Sequence, residues 1–386
     1  MYEIKTMNNI ARQGLHVLTA KGVMINNETE NPDGLLLRSA KIHDMTFGDR
    51  LVAISRAGVG TDNIPVDRCT ESGIAVFNAA GGNAEAVVEM AVGALVLASR
   101  DLMEGAIWAK SLAGQENVGA EIEAGKKAFV GPEIMGKTLG IIGLGNIGAR
   151  IANSAIALGM TVLGYDPYLS VDSAWRISSD VKHAHDLATI YQNSDYVLIQ
   201  VHYNESTHHM LDASAFEQMK DGVRVINLAR GGLVDEDAML AALSSGKVAR
   251  YVTDFPSEKI LGVKNVVAFP HLGASTPESE EKCAVMAAQE LVEYLLNGTI
   301  RNSVNLPAVS LDRKGACRIC AIHDNVPRMI NGFLDVVGAE NINVEHMINK
   351  ARGDIAYTII DVDRKISDAI AQKIAAMDHV KRVRII

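Results

Sequence analysis

TLGIIGLGNIGARIANSAIALGMTVLGYD (residues 138–166) is the stretch whose reading decides the fold. An apolar run of strand length, TLGII, leads into a glycine turn. The turn opens an amphipathic helix, and a second apolar run ends in Asp166. The turn itself reads Gly143-Leu144-Gly145-Asn146-Ile147-Gly148, a G-x-G-x-x-G between a strand and a helix. Glycines there permit a tight turn and let a pyrophosphate approach the helix N-terminus, whose unpaired N–H groups and positive dipole end attract anions. Asp166 follows Gly143 by 166 − 143 = 23 residues, near the spacing of about 20 for an acid that binds ribose hydroxyls and repels a 2′-phosphate. The stretch predicts a dinucleotide-binding Rossmann unit that prefers NAD, contacted at Gly143, Gly145, Asn146, Ile147, Gly148 and Asp166.

The alternation continues outward. YVLIQVH (196–202), RVINLA (224–229), YVTDF (251–255) and VVAF (266–269) read as later strands of the same sheet. Upstream, GLLLR (34–38), LVAIS (51–55) and IAVFN (74–78) are continuous apolar runs spaced as in a separate parallel sheet. Two long helical stretches, 84–102 and 277–298, join the two α/β units. The nucleotide unit is therefore expected to be inserted: residues 1–97 and 272–306 as a flavodoxin-like α/β substrate domain, 98–271 as the NAD-binding domain. Residues 307–386 change character and read strand–helix–strand–strand–helix–strand, a ferredoxin-like βαββαβ module.

Composition bounds the function. The 386 residues carry 37 Lys+Arg against 46 Asp+Glu, a net charge of −9, with 48% hydrophobic and 22% charged residues. That is an ordinary globular mixture and excludes a disordered chain or a small disulfide scaffold. The acidic balance argues against nucleic acid as a partner, because phosphate neutralisation needs clustered Lys and Arg. Cys69, Cys283, Cys317 and Cys320 are too few and scattered for a disulfide framework. The C-x-x-C of Cys317 and Cys320 falls on a predicted strand, where i and i+3 face opposite sides, so both read as core residues and no metal is expected. No leader pattern opens the chain and no apolar run reaches about 18 residues, so no membrane is expected and the expected compartment is the cytoplasm.

Three charged or polar residues follow successive predicted strands: Arg230 in NLARGGLVDE, Glu258 in DFPSE and His271 in FPHLGAS. In open α/β sheets the loops beyond strand C-termini surround the ligand crevice. Such a set suits oxidation of a hydroxy acid. Arg230 can grip a carboxylate through its planar fork of donors. His271 can take a hydroxyl proton, since imidazole titrates near working pH. Glu258, hydrogen-bonded to the imidazole, would orient it and stabilise its charged form.

GIIGLGNIG, INLARGGLVDEDAML and FPHLGAST resemble the NAD-dependent D-2-hydroxyacid dehydrogenases. The resemblance implies a nucleotide domain inserted in a substrate domain, a cleft between them and an Arg–Glu–His catalytic set, carried here by Arg230, Glu258 and His271. It adds Leu228, Ala229, Asp254, Gly273 and Ala274 to the cofactor contacts. One departure is DFPSEK (254–259), where many relatives read D-V-F-x-x-E-P.

Arg38-Ser39 in LLLRSA and Arg56-Ala57-Gly58-Val59-Gly60 are similar to the substrate-domain motifs of the members acting on 3-phosphoglycerate. There, the resemblance implies, the arginines hold the phosphate and the glycine-loop N–H groups the carboxylate. The activity implied is oxidation of 3-phospho-D-glycerate to 3-phosphohydroxypyruvate with NAD+, the first step of L-serine biosynthesis. The C-terminal module is similar to ACT regulatory domains, with His323, Asn325 and Asn343 matching an L-serine effector site. Its departure is Val326-Pro327-Arg328, where the usual pattern is Arg-Pro-Gly. A homodimer or homotetramer is implied as well. Two alternatives stay open: a dehydrogenase of another hydroxy acid (glyoxylate, hydroxypyruvate, 2-oxoglutarate), and a non-catalytic NAD(H) sensor.

Overall fold

The computed structural model describes residues 1–386 apart from the side chain of Asp172. The chain divides into two compact units, Met1–Asn83 with Thr276–Ile386, and Ala84–Ser275.

The first unit opens with β1 (Glu3–Met7), α1 (Arg12–Ala20), β2 (Met24–Ile25) and β3 (Gly34–Leu37). β4 (Ala53–Arg56), α2 (Val66–Glu71) and β5 (Ala75–Asn78) follow. All five strands are parallel, in the order β2-β1-β3-β4-β5. This is the flavodoxin-like order, whose direction of winding reverses between β1 and β3. The unbroken apolar runs bury both faces of the sheet: Leu36, Ala53 and Phe77 lie in one core, Leu35, Leu37, Ile54 and Val76 in another. EIKTM, with its Lys and Glu, carries too little apolar signal to be read as β1, although Ile4 is fully buried.

The second unit starts at α3 (Ala84–Ser99), α4 (Leu102–Ser111) and α5 (Val118–Gly125). The nucleotide-type half follows as β6 (Thr138–Ile142), α6 (Asn146–Ala157), β7 (Thr161–Tyr165), α7 (Val171–Ala174) and β8 (Lys182–His183). The second half runs α8 (Leu187–Asn193), β9 (Tyr196–Ile199), α9 (Ala213–Gln218), β10 (Val223–Asn227), α10 (Glu236–Ser245), β11 (Val248–Thr253) and β12 (Val266–Ala268). The strands are parallel in the order β12-β11-β10-β9-β6-β7-β8, the Rossmann order with its reversal between β6 and β9.

The boundary expected at 97/98 falls at 83/84. The reason is packing: Ala91, Ala94, Leu95 and Ala98 of α3 share a core with Leu139, Ile141, Leu198 and Ile226 of the second sheet. The return boundary expected at 271/272 falls at 275/276, because the Gly273 N–H donates to the Asp254 carboxylate at 3.2 Å.

The chain re-enters the first unit through α11 (Pro277–Asn297). Thr276 caps it by accepting from the Ser279 N–H, and Gly298 ends it at φ 67°. The last stretch is β13 (Cys317–Asp324), α12 (Met329–Ala339), β14 (Val344–Arg352), β15 (Ile355–Val362), α13 (Asp368–Ala375) and β16 (Val380–Ile385). Its antiparallel order β14-β15-β13-β16 is the ferredoxin-like arrangement. One face packs on α12 and α13 through Cys317, Ile319, Phe333 and Ile374. The other, with Cys320, Ile322, Tyr357 and Ile359, joins the core of the first sheet and α11. Cys317 and Cys320 thus face opposite sides of β13, as strand geometry requires.

Candidate active site

The glycine turn sits at the reversal of the second sheet. Gly143 has φ 96°, and a Cβ on it would lie 2.4 Å from the Gln200 carbonyl oxygen. A Cβ on Gly148 would lie 2.0 Å from the Gly143 carbonyl oxygen, so only glycine lets the helix start this close to the strand. Gly145 differs: a Cβ there meets nothing within 4 Å. It stands at the N-terminus of α6, over open space where N–H groups face outward. Asp166 accepts from the Leu144 and Tyr168 N–H groups at 2.9 Å, one on each carboxylate oxygen. Each oxygen keeps a lone pair for a ribose hydroxyl. Asn146 accepts from Arg176 at 3.3 Å, and Ile147 is half-buried beside the turn.

Two of the three catalytic candidates, Arg230 and His271, lie around one ring. Arg230 lies past β10 with its guanidinium 5.8 Å from the Phe255 ring centre. The His271 ring lies 4.6 Å from the same centre. Asn227, fully buried, holds the turn that carries Arg230: it donates to the Arg230 carbonyl at 2.8 Å and accepts from the Ala229 N–H at 3.1 Å. Leu228 and Ala229 are buried below it. His271 has φ 48°, a left-handed conformation that histidine adopts more readily than most residues. Its N–H is shared at 3.0 Å between the Asp254 and Phe269 carbonyls, which holds the backbone there. Phe255 and Asn227 escaped sequence reading because an aromatic and an amide beside a strand end look like ordinary packing.

Glu258 is exposed, and among the described residues no hydrogen bond or ion pair joins it to His271. Ser257 instead donates to Glu236 at 2.8 Å, tying the short loop back to α10. The loop that departs from the family pattern therefore leaves its acid in solvent.

Asp254 is 1% exposed, with Oδ2 on Gly273 and Oδ1 without a partner. Ala274 is half-buried beside that contact. A buried, unpaired carboxylate oxygen is costly unless a ligand group meets it. The open cradle at Gly145 and this orphaned oxygen both fit a dinucleotide. Burial pushes the Asp254 carboxyl above its usual range, against the pull of Gly273, His271 and Arg230. A raised folded-state pKa means the folded form holds the proton more tightly, so this group's contribution to stability falls as pH rises through the carboxylate range. In the ligand-free protein Asp254→Asn is expected to raise the thermal midpoint at pH 8 and less so at pH 4.5. Thermal scans at both pH values check this, and a drop at pH 8 would refute it.

In the first unit Arg38 follows β3 and Arg56 ends β4, so both stand at neighbouring strand C-termini beside the reversal. Asn8, just past β1, accepts from the Ser39 and Ala40 N–H groups at 3.1 and 2.6 Å. Asn63 donates to the Arg38 and Ala40 carbonyls at 3.2 and 2.7 Å, and Arg56 Nε donates to the Arg38 carbonyl at 2.9 Å. Asn78 fixes the glycine loop by donating to the Val59 carbonyl at 2.6 Å. Gly58 leaves room for the Arg56 guanidinium, since a Cβ would lie 2.9 Å from it. Gly60 continues the same loop. Three asparagines shape this site and none was readable as such, because each acts across a sequence gap.

The predicted effector residues do not gather within one chain. His323 is 2% exposed; its Nδ1 bonds the Asp324 carbonyl and its Nε2 bonds Thr358, each at 2.8 Å. Thr358 donates onward to Asn349 at 2.8 Å. His323 is thus a satisfied core residue, packed edge-on at 5.2 Å from Phe333. Asn325 precedes α12, donating to the Gly353 carbonyl at 3.1 Å, whereas Asn343 follows α12 and donates to Glu345 at 3.2 Å. Arg328 keeps the left-handed backbone, φ 72°, that a glycine would favour.

Residues 93–273 match the family described as D-isomer specific 2-hydroxyacid dehydrogenase, NAD binding domain. A hydroxypyruvate reductase of Thermotoga maritima is 36% identical over 275 residues, covering 68% of this chain and 85% of that protein. The chain belongs to the D-isomer specific 2-hydroxyacid dehydrogenases. A D-3-phosphoglycerate dehydrogenase of Archaeoglobus fulgidus is 34% identical over 319 residues, covering 80% of this chain and 56% of that protein. This dehydrogenase chain spans about half the length of the curated D-3-phosphoglycerate dehydrogenases it matches, 50–56%. Among solved structures, D-mandelate dehydrogenase of Rhodotorula graminis superposes with a TM-score of 0.67 at 23% identity, covering 80% of this chain and 99% of that one. NAD+-bound 3-phosphoglycerate dehydrogenase of Entamoeba histolytica gives 0.62 at 22%, covering 79% and 98%. These likenesses show the dehydrogenase fold, and NAD is the cofactor of residues 93–273.

Proposed function

We propose that the protein oxidises 3-phospho-D-glycerate to 3-phosphohydroxypyruvate with NAD+, the entry step of L-serine synthesis. The observation that carries this reading is the pair Arg38 and Arg56, fixed at adjacent strand ends at the reversal of the first sheet. Two guanidiniums offer charge-assisted bonds that a phosphate dianion can use and lactate cannot. The N–H groups of Gly58, Val59 and Gly60 would hold the carboxylate. Arg230 would grip the carboxylate and the C2 oxygen. His271 would take the hydroxyl proton. Glu258 would support the imidazole from the loop that also carries Phe255. The glycine turn and Asp166 would hold NAD+, which would supply the acceptor for the hydride leaving C2.

A second reading, a dehydrogenase of an unphosphorylated 2-hydroxy acid, is favoured by the Glu280 carboxylate that already engages Arg38 at 2.6 Å and by the likeness to a hydroxypyruvate reductase. NADH formation from 3-phosphoglycerate, beside glycerate, lactate and 2-hydroxyglutarate and with a product trap, separates the two. Replacing Arg38 and Arg56 together by Gln is expected to lower kcat/KM for 3-phosphoglycerate by about a hundredfold or more, since each charge-assisted bond contributes about 1.5–3 kcal/mol. An equal loss on glycerate would overturn the phosphate reading.

A homodimer or homotetramer fits the excursion 102–135: α4 and α5 bury no residue, and Ile107, Val130 and Met135 are exposed. An L-serine effector would need a second copy to complete the C-terminal site, given the separation of Asn325 and Asn343. A cytoplasmic setting is supported by four free cysteines, and among the described residues no helix is long and apolar enough to cross a membrane.

A further inference from the structure

We infer that Glu280 is a built-in counter-anion for Arg38 that sets how strongly the site prefers a phosphorylated acid. The inference deepens the phosphoglycerate reading and rests on it. Arg38 Nη2 donates to Glu280 Oε1 at 2.6 Å, across 242 residues of sequence. Glu280 lies in the first turn of α11, whose N-terminus Thr276 caps, and α11 packs against β3 and β4, with the Ser55 hydroxyl donating to the Ala287 carbonyl at 2.8 Å. Arg56 Nε donates to the Arg38 carbonyl at 2.9 Å, which holds the second arginine beside the strand end that carries the Arg38–Glu280 pair. Two arginines facing a phosphate dianion therefore share their pocket with one carboxylate.

That carboxylate occupies the donors the phosphate needs. Both partners are about 40% exposed, 38% for Arg38 and 43% for Glu280, so the pair is weak enough to open. Glu280 released from Arg38 still carries its negative charge near the N-terminus of α11, where the helix dipole favours it. Substrate phosphate thus competes with Glu280 for Arg38, and an unphosphorylated acid does not. The residue lowers affinity for every phosphorylated ligand and biases the ratio of substrates.

The test is steady-state kinetics on the full chain with Glu280→Gln, Arg38→Gln and the double variant. E280Q is expected to lower KM for 3-phosphoglycerate roughly fivefold, with inhibition by inorganic phosphate tightening in parallel, the upper range of an exposed pair. The change falls on KM rather than kcat, and the ratio of kcat/KM for 3-phosphoglycerate over glycerate rises. In the R38Q background the same substitution is expected to change KM less than twofold, because its partner is gone. If E280Q leaves KM and phosphate inhibition unmoved while R38Q raises KM for 3-phosphoglycerate, the phosphate reading of Arg38 stands and the counter-anion is refuted. If the E280Q effect persists undiminished without Arg38, Glu280 acts through another group and the inference is again refuted. If R38Q leaves the preference for the phosphorylated acid intact, the reading of Arg38 fails and takes the inference with it.

Discussion

His271→Asn is expected to lower kcat by about 10²–10⁴-fold, the usual contribution of a general base. Asparagine is chosen because it tolerates the left-handed backbone that His271 adopts at φ 48°. The shared N–H bond to the Asp254 and Phe269 carbonyls then survives, and with it the Gly273 contact to Asp254. NAD binding, followed by fluorescence titration, is expected to persist while turnover is lost. A variant that retained turnover within tenfold would remove His271 from the chemistry. Alanine would be a poorer probe, since it adds backbone strain to the loss of the imidazole. Glu258→Gln makes a useful companion: the acid is exposed and has no bond to His271, so its effect on kcat reports whether the loop closes when substrate is bound.

The largest effect on stability is expected at Arg318. Its side chain is buried in the C-terminal module, paired with Asp361 through two bonds at 2.6 and 2.8 Å. It also donates to the Asn297 and Leu311 carbonyls at 2.7 and 2.9 Å, so one guanidinium satisfies β15, the end of α11 and the linker together. Arg318→Met removes the cation and strands a buried carboxylate, at a cost of about 3–5 kcal/mol. Because the chain divides into two compact units, the quantity to read is the denaturant midpoint of the transition that includes this module.

The pair also carries a pH signature. Burial pushes the Asp361 carboxyl up, but the Arg318 and Lys314 donors outweigh it and hold the carboxyl below its usual range. A depressed folded-state pKa gives stability that is present above the ordinary carboxylate range and lost as pH falls through the folded value. Arg318→Met is therefore expected to destabilise strongly at pH 7 and less below pH 4. Equal loss at both would show that the guanidinium matters as a donor to carbonyls and not as a counter-charge.

Arg318 belongs to a wider clamp. Arg384 donates to the Tyr294 and Leu295 carbonyls at 3.1 and 2.7 Å and lies over the Tyr294 ring at 4.4 Å. The Tyr357 hydroxyl donates to the Gly298 carbonyl at 2.8 Å. These groups seal the end of α11, whose unpaired carbonyls would otherwise be buried without donors. The C-terminal module is built into the first unit by this seal.

How much of this was legible follows from where each signal lies. The glycine turn, its flanking strands and Asp166 sit within one 29-residue run, and the contact that requires Gly148, with the Gly143 carbonyl, is itself local. Arg230 and His271 could be singled out as candidates because a strand end is recognisable from its apolar run, and loops at such ends surround the ligand crevice. α3 could be read as a helix but not assigned to a sheet, because an alanine-rich apolar face fits either one. The burial of His323 was not legible, because residue spacing cannot tell an imidazole facing a core from one facing a ligand. Glu280 was invisible for a different reason: a glutamate in a first helical turn has a local explanation, and nothing local shows that Arg38 meets it.

By itself the sequence determined the long apolar strands and helices, the two parallel sheets, the antiparallel module and the dinucleotide turn, because period and turn chemistry act over a few residues; short or polar elements such as β1 escaped it. The tertiary structure decided which apolar face covers which, where the unit boundary falls, that the Asp254 oxygen is left unpaired, and that Glu280 neutralises Arg38. Those outcomes depend on desolvation and charge between groups far apart in the chain, which no local pattern encodes.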